Sequence, residues 1–309
     1  MNNLSLPRLL IAGASGFIGK RFIAAWQHKY RITVLGRNRE KLMKLFPTFT
    51  CLSWKNLSTL SPSDFDIVLN LSGETINHLR WTKKIKQKII QSRIRASEEL
   101  VNWLLTKPNL SLHFLQASAL SIYGLYETVP TIINTETTGI TPKSDFLWEV
   151  AQAWEGTLNP LLEQNFPVSI LRFAVVLDVK AGAFPKLLSP AKWGLATRCG
   201  SGEQPFSWIS AHDLVRAIDL VIKQKITGAI NMVAPEIITQ NQFNKILCTI
   251  LKRPYFLGLP KFMVQLLFGD MGQELLLKGC AAKPAILNEQ GFHFETPTSK
   301  EFFQQTVEK

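Results

Sequence analysis

The segment Gly13-Ala14-Ser15-Gly16-Phe17-Ile18-Gly19 follows directly on the apolar run Leu9-Leu10-Ile11-Ala12 and opens a helical pattern that reaches His28. A buried strand that runs through glycines into a helix constrains the fold more than any other feature of the chain. Gly13 permits a tight turn, Gly16 lets a pyrophosphate approach the backbone, and Gly19 lets the helix pack closely on the strand. Ser15, Phe17 and Ile18 complete the loop. The first N–H groups of the helix lack intrahelical acceptors, and its dipole favours negative charge there. The loop reads as a dinucleotide phosphate site; a glycine turn without ligand is the alternative.

The next strand, Arg31-Ile32-Thr33-Val34-Leu35, ends at Gly36-Arg37-Asn38-Arg39. An NAD site usually places Asp or Glu at this strand end, where it accepts from the ribose 2′-hydroxyl. Here Gly36 is followed by Arg37, whose guanidinium can pair with a 2′-phosphate in bidentate fashion. NADP(H) is therefore expected over NAD(H), the alternative being a solvated loop arginine.

Alternating strand and helix patterns fill the first two-thirds of the 309 residues. Strands are expected at 8–13, 31–35, 49–53, 66–71, 112–117 and 168–173, and helices at 17–28, 83–106, 145–165 and 212–224. This alternation predicts an α/β fold: a Rossmann-type, doubly wound parallel sheet with helices on both faces and ligands at the carboxyl ends of the strands. The tail reads as a strand at 229–233 and helices at 239–251 and 260–277. The expected division is an NADP-binding domain over 1–177, with 205–233 packing back on it, and a smaller C-terminal α/β substrate-side lobe over 178–309 that includes the tail 239–300. Asp213 is expected to cap the helix that begins at Leu214.

The apolar fraction of 46% is enough for a core and excludes global disorder. No run of 18 apolar residues occurs, so no membrane span is expected, and the N-terminus lacks the charged, apolar, small-residue order of a signal peptide. Cys51, Cys199, Cys248 and Cys280 are scattered without metal or disulfide spacing, which fits a reducing cytoplasm and no metal site. The net charge of +12 is densest from Arg80 to Arg95, yet its lysines spread around a helix, and no nucleic-acid module is recognisable. A small-molecule partner is expected rather than nucleic acid, and the chain is expected to be a monomer or homodimer.

Several motifs together resemble the extended short-chain dehydrogenases/reductases. They include Gly13–Gly19, Leu69-Asn70-Leu71-Ser72-Gly73-Glu74, Arg80-Trp81-Thr82, Ser92-Arg93-Ile94, Ser118-Ala119 with Tyr123-Gly124, and Trp154-Glu155. Further along come Leu171-Arg172 with Val175-Val176-Leu177, Gly200-Ser201-Gly202, Trp208-Ile209 with His212-Asp213-Leu214, and the tail residues Pro284 and Gly291-Phe292. The chain is most similar to an atypical branch, the epimerase family often described as nucleoside-diphosphate-sugar epimerases, which carries a C-terminal segment of unknown function. The resemblance implies that Leu71, Ser72 and Gly73 lie along the adenosine and pyrophosphate. It also implies that Arg93 reaches the cofactor from the long helix and that Val176 lies near the nicotinamide.

The usual catalytic pattern of the wider class is Tyr-x-x-x-Lys with a Ser or Thr. The tyrosine moves a proton and the lysine lowers its pKa. Aligned on Glu155, the tyrosine position holds Leu147 and the lysine position Ala151, and none of Tyr30, Tyr123, Tyr126 and Tyr255 has a lysine four residues on. Ala119 stands where the Ser or Thr is expected. The remaining candidates for proton transfer are Tyr123 and Ser118; a structural aromatic beside a glycine turn is the alternative for Tyr123. Three functions stay open. One is an oxidoreductase or epimerase acting on an unidentified, nucleotide-sugar-like substrate. Another is an NADP(H)-binding regulatory or scaffold protein without catalytic apparatus. The third is a basic-surface partner protein that binds an anionic polymer and would show a salt-dependent shift with DNA.

Overall fold

The computed structural model describes residues 6–107 and 110–307; the N-terminal residues 1–5, part of the segment in which no leader pattern is read, lie outside them. The first half alternates as the glycine loop demands. Its elements are β1 (Arg8–Ala12), α1 (Phe17–Trp26), β2 (Arg31–Gly36), α2 (Arg39–Leu45), β3 (Thr50–Ser53), β4 (Ile67–Asn70), α3 (Lys83–Leu105) and β5 (His113–Ala119). Then follow α4 (Phe146–Gly156), α5 (Asn159–Leu162), β6 (Val168–Phe173), β7 (Val175–Asp178) and β8 (Ala181–Gly182). The remainder comprises α6 (Phe184–Lys192), β9 (Thr197–Cys199), β10 (Trp208–Ser210), α7 (Ala211–Gln224), β11 (Gly228–Met232) and α8 (Gln240–Ile250). The tail holds β12 (Leu257–Leu259), α9 (Lys261–Phe268), α10 (Asp270–Leu275), α11 (Ala285–Glu289) and α12 (Ser299–Thr306).

Seven strands form one sheet in the order β11-β6-β5-β4-β1-β2-β3. Every neighbouring pair in it is parallel. The fold is thus a doubly wound α/β sheet of Rossmann type. The sheet reverses direction at β1, where β2 lies on one side and β4 on the other, and this switch point is where such sheets bind ligands. Its strands are near-continuous apolar runs because both faces are covered. Leu9, Ile11, Val34, Leu69 and Leu171 pack with α1 and α7 on one face. Leu10, Leu35, Val68 and Phe114 pack with α3 and the Leu158–Leu161 turn on the other.

After β6 the chain leaves the sheet, forms a second, three-stranded sheet in the order β10-β7-β8, and returns to the first at β11. β10 pairs in parallel with β7, α7 packs on α1 through a bond from Trp26 Nε1 to the Val215 carbonyl, and β11 extends the sheet beside β6. A separate apolar cluster, including Phe184, Trp208, Phe243, Phe302 and Phe303, forms the core of the C-terminal region.

Three local expectations are corrected. The helix expected over 145–165 breaks after Gly156 and resumes as a short turn holding Pro160, because proline cannot supply the interior N–H. The helix expected over 260–277 is split into α9 and α10 at Gly269, whose φ is +57°. The cap of α7 is Ser210, whose side chain accepts from the Asp213 amide. Asp213 is fully buried in the first turn and receives the amides of Glu295 and Thr296 together with the Thr296 hydroxyl, so it binds the tail to α7.

Candidate functional site

The glycine loop closes tightly over the end of β1. Gly13 has φ +81°, and a Cβ there would lie 2.6 Å from the Leu71 carbonyl carbon and oxygen. Only glycine lets β1 and the loop after β4 approach this closely. At Gly19 a Cβ would fall 2.7 Å from Ala14 Cα, which is the close helix–strand approach that a short loop needs. Gly16 is different. Its φ is −71°, it is exposed, and a Cβ would meet only the Gly13 carbonyl, at 3.2 Å. Its open side, beside exposed Ser15 and the first turn of α1, faces solvent. Phe17, Ile18 and Gly19 supply first-turn amides with no acceptor of their own.

Val176 is brought to the same side by β7 and packs against the apolar cluster that also receives Ile18 of α1. A Cβ on Gly182 would touch the Phe17 ring at 3.0 Å and the Val176 carbonyl at 3.2 Å, so β8 sits between them. Arg21 fixes this register by pairing with Asp178 at 2.6 Å.

The loop after β4 is set from below. Asn70 is fully buried; its Oδ1 accepts from the Ser72 amide at 3.0 Å, and its Nδ2 donates to Gln116 at 2.9 Å and Ser97 at 3.2 Å. Ser97 in turn accepts from Trp154 Nε1 at 3.0 Å. Leu71 is held to β1 through its amide and the Ala12 carbonyl. Arg93, from α3, lies against Gly73: a Cβ on that glycine would be 3.2 Å from Arg93 Cζ. Its Nη1 donates to the carbonyls of Glu74 at 3.0 Å and Ile89 at 2.9 Å, and its guanidinium stacks over Trp154. Burial lowers its pKa to about 10, still protonated at neutral pH. Among the described residues Arg93 Nε and Nη2 have no acceptor, so this side of the guanidinium can still bind an anion.

At the mouth, Arg37 projects from the end of β2 with its side chain 86% exposed. Glu74 Oε2 lies 3.9 Å from Arg37 Nη1 and 3.2 Å from Lys88 Nζ. The ends of β2, β4 and α3 thus converge over the glycine loop with two cations and one carboxylate. Lys88 and Glu74 were not assigned roles from the sequence. Glu74 belongs to the Ser72-Gly73-Glu74 motif, but nothing local says that it meets Arg37 across β1.

The two candidate proton donors sit deeper. Tyr123 is buried; its hydroxyl donates to Asn231 Oδ1 at 2.9 Å and accepts from Arg172 Nη1 at 2.8 Å. Arg172 holds Glu155 in a two-pronged pair, Nε to Oε1 at 2.9 Å and Nη2 to Oε2 at 2.8 Å. Ser118, also buried, donates to Glu155 Oε1 at 2.6 Å. Burial pushes the Tyr123 pKa up, the Arg172 charge only partly offsetting it. One closed network therefore uses both hydroxyls.

Residues 9–233 match the NAD dependent epimerase/dehydratase family, and residues 259–306 match a domain of unknown function, DUF1731. The chain belongs to the NAD dependent epimerase/dehydratase family. It is 30% identical over 308 residues to an epimerase family protein of Staphylococcus haemolyticus, covering 98% of this chain and 100% of that one. It is 31% identical over 295 residues to the chloroplastic SDR39U1 homolog of Arabidopsis thaliana, covering 92% and 82%. Human epimerase family protein SDR39U1, solved with NADPH, has the same fold, with a TM-score of 0.85 at 24% identity over 98% of this chain and 99% of that one. UDP-glucuronic acid 4-epimerase of Bacillus cereus, solved with UDP-glucuronic acid and NAD, superposes with a TM-score of 0.72 at 17% identity over 96% of each chain.

In this member of the epimerase family the positions aligned with the Tyr-Lys pair are closed by packing. Leu147 and Ala151 are buried on α4. The Leu147 carbonyl accepts from Ser121 Oγ at 2.8 Å, and its amide, with that of Phe146, donates to Glu274. Glu274, from α10, thereby caps α4, and burial raises its pKa. A cleft of about 520 Å³ opens beside this contact, lined in part by Lys86, Phe146, Glu149, Asp270 and Glu274. No residue of the glycine loop lines it, and two of its three acids, Asp270 and Glu274, are already engaged by Lys86 and by the α4 amides. No His, Cys, Asp and Glu cluster able to hold a metal ion occurs among the described residues.

Proposed function

We propose that this epimerase-family protein binds NADP(H) across the carboxyl ends of β1, β2 and β4, and that any oxidoreductase or epimerase chemistry there runs without a Tyr-x-x-x-Lys proton relay. Nicotinamide supplies hydride transfer when bound; the chain's own residues hold and orient the dinucleotide. The first-turn amides of α1 at Phe17, Ile18 and Gly19 receive pyrophosphate charge, with Ser15 and Gly16 leaving room for it. Leu71, Ser72 and Gly73 line the adenosine side, Arg93 adds a buried cation behind them, and Val176 closes the nicotinamide end.

The single observation that carries the NADP(H) preference is the exposed guanidinium of Arg37, following Gly36, with Lys88 converging on the same point. Two cations there suit a 2′-phosphate, whereas a 2′-hydroxyl calls for an acceptor free of other partners. Human SDR39U1, solved with NADPH, supports the same reading. Titration with NADPH and NADH, followed by nicotinamide fluorescence, is the test: NADPH binds at least about tenfold tighter, the factor that one charge-assisted bond supplies. Equal affinity overturns the reading.

A regulatory or scaffold role is the second reading. It rests on the closed network around Tyr123, Ser118, Glu155 and Arg172, which leaves neither hydroxyl free to serve a substrate. Measurement of NADPH consumption across carbonyl and nucleotide-sugar substrates separates the two.

A further inference from the structure

Helix α9 has few anchors. Its one buried residue, Val264, packs where α10 crosses it; a Cβ on Gly272 would lie 2.9 Å from Val264 Cγ1 and 2.8 Å from Phe268 Cβ, so the crossing depends on glycine. At the far end Arg80 donates to the carbonyls of Leu266 and Leu267. At the near end Lys261 pairs with Glu127 at 2.6 Å. The rest of the helix is turned to solvent. Phe262 is 66% exposed and Leu266 70%, Met263 and Leu267 flank them, and Leu79, next to the anchoring Arg80, is 71% exposed. Apolar pairs at i and i+4 facing water form a patch of the kind that marks an interaction site.

The surroundings of this patch are basic. No Asp or Glu occurs between Glu74 and Glu98 or between Glu236 and Asp270. These two acid-free stretches meet where Arg80 binds α9. Exposed Lys83 and Lys84, in the first turn of α3, come three and four residues after Arg80, and Lys261 opens α9. The acids at the edge of the patch, Glu127 and Asp270, are each already paired, with Lys261 and Lys86.

We propose that α9 and the first turn of α3 form a peripheral docking face for an anionic lipid bilayer. Phe262, Leu266 and Leu79 enter the headgroup layer, and Arg80, Lys83 and Lys84 meet lipid phosphates. A short apolar helix face binds a bilayer only marginally by itself, and a polybasic rim is the second signal that makes attachment stable. The charge argues against a second copy of the chain as occupant, because a two-fold contact would set the same cations against themselves. No helix among the described residues is long and apolar enough to cross a membrane, so attachment is at the surface.

The test is sedimentation of the full chain with vesicles of phosphatidylcholine alone and of phosphatidylcholine containing about one-third phosphatidylglycerol. The expected result is partition onto the anionic vesicles at least about tenfold above the neutral ones, falling steeply with added salt. Phe262→Ser with Leu266→Ser, and separately Lys83→Glu with Lys84→Glu, two exposed lysines that do not anchor α9, abolish it while circular dichroism and NADPH titration match the parent. Equal binding to the two vesicle types, or unchanged binding by either double variant, overturns the proposal. So does a concentration-dependent dimer that the serine variant dissolves and that does not bind vesicles, since the patch would then be an interface between copies.

Discussion

Lys88 Nζ stands 3.2 Å from Glu74 Oε2, joining the long helix to the loop after β4 directly beside the exposed Arg37 guanidinium. A carboxylate in this position competes with a 2′-phosphate for both cations. Arg37→Ala is expected to weaken NADPH by about 1–3 kcal/mol, the range for a charge-assisted hydrogen bond, and NADH much less. Lys88→Ala shifts selectivity the same way by a smaller amount, because its ammonium is a point charge rather than a fork. Glu74→Gln removes the competitor and tightens NADPH relative to NADH. Fluorescence titration of the three variants with both cofactors checks the set, and a Glu74→Gln protein that loses NADPH selectivity would contradict it.

The glycines of the phosphate loop separate binding from folding. Gly16→Val puts a branched side chain on the open side of the loop, where its only near neighbour within the protein is the Gly13 carbonyl. The fold takes it with a small shift at that carbonyl, 3.2 Å from the new Cβ, whereas a pyrophosphate would lose the space it must occupy. Cofactor binding is expected to be lost with circular dichroism unchanged. Gly19→Val is the contrasting variant. Its Cβ would lie 2.7 Å from Ala14 Cα, so the chain itself must shift, and the melting temperature falls along with binding. Normal NADPH affinity in Gly16→Val would remove the loop from the site.

The parts legible in the sequence were those specified locally. β1, the glycine loop and α1 are adjacent in the chain, and their apolar period and glycine spacing report the strand, the turn and the helix together. The breaks at Pro160 and Gly269 also carried local signals, one residue each, which the longer helical period overrode. The capping of α7 was written in Ser210-Ala211-His212-Asp213, a capping-box spacing that points to Ser210 as the cap. What was not legible depends on contacts across the sheet. Glu74 meets Arg37 only because β1 separates β2 from β4, and Tyr123 meets Asn231 over 108 residues of chain. Neither has a periodicity or a motif that announces it.

His113 gives the fold an acid limit. It is buried at the start of β5, its Nε2 bonded to Ser169 Oγ at 2.6 Å while Nδ1 has no partner. Because Ser169 donates onward to the Ile226 carbonyl, the histidine must donate from Nε2, leaving Nδ1 as an unprotonated acceptor. Burial, with the nearby Lys225 charge, lowers its pKa to about 4. A depressed folded-state value contributes stability that is present above the unfolded value of about 6.5 and is lost as pH falls from there towards 4. Urea denaturation at stepped pH is expected to show a loss on the order of 3 kcal/mol across that window. His113→Gln, which retains a donor for Ser169 and cannot titrate, flattens the profile; an equally steep fall in that variant would assign the limit elsewhere.

Tyr123 tests whether the buried network is catalytic or structural. Tyr123→Phe keeps the ring but removes a hydroxyl that donates to Asn231 and accepts from Arg172, leaving two buried polar groups each short of a partner. The cost is expected to be about 1–3 kcal/mol of stability, read as a lower denaturation midpoint. Ser118→Ala costs less, because Glu155 keeps both of its bonds to Arg172. Cofactor affinity stays at the parent value in both, since neither residue belongs to the phosphate loop or the β2 and β4 ends. The parent protein is expected to consume NADPH slowly with ordinary carbonyl and nucleotide-sugar substrates, having lost the factor of about 10²–10⁴ that a positioned acid–base group supplies. If the rate per folded molecule falls by that factor in Tyr123→Phe while NADPH affinity is unchanged, the tyrosine moves a proton despite its burial. If only the denaturation midpoint falls, the hydroxyl is a structural link between Arg172 and Asn231.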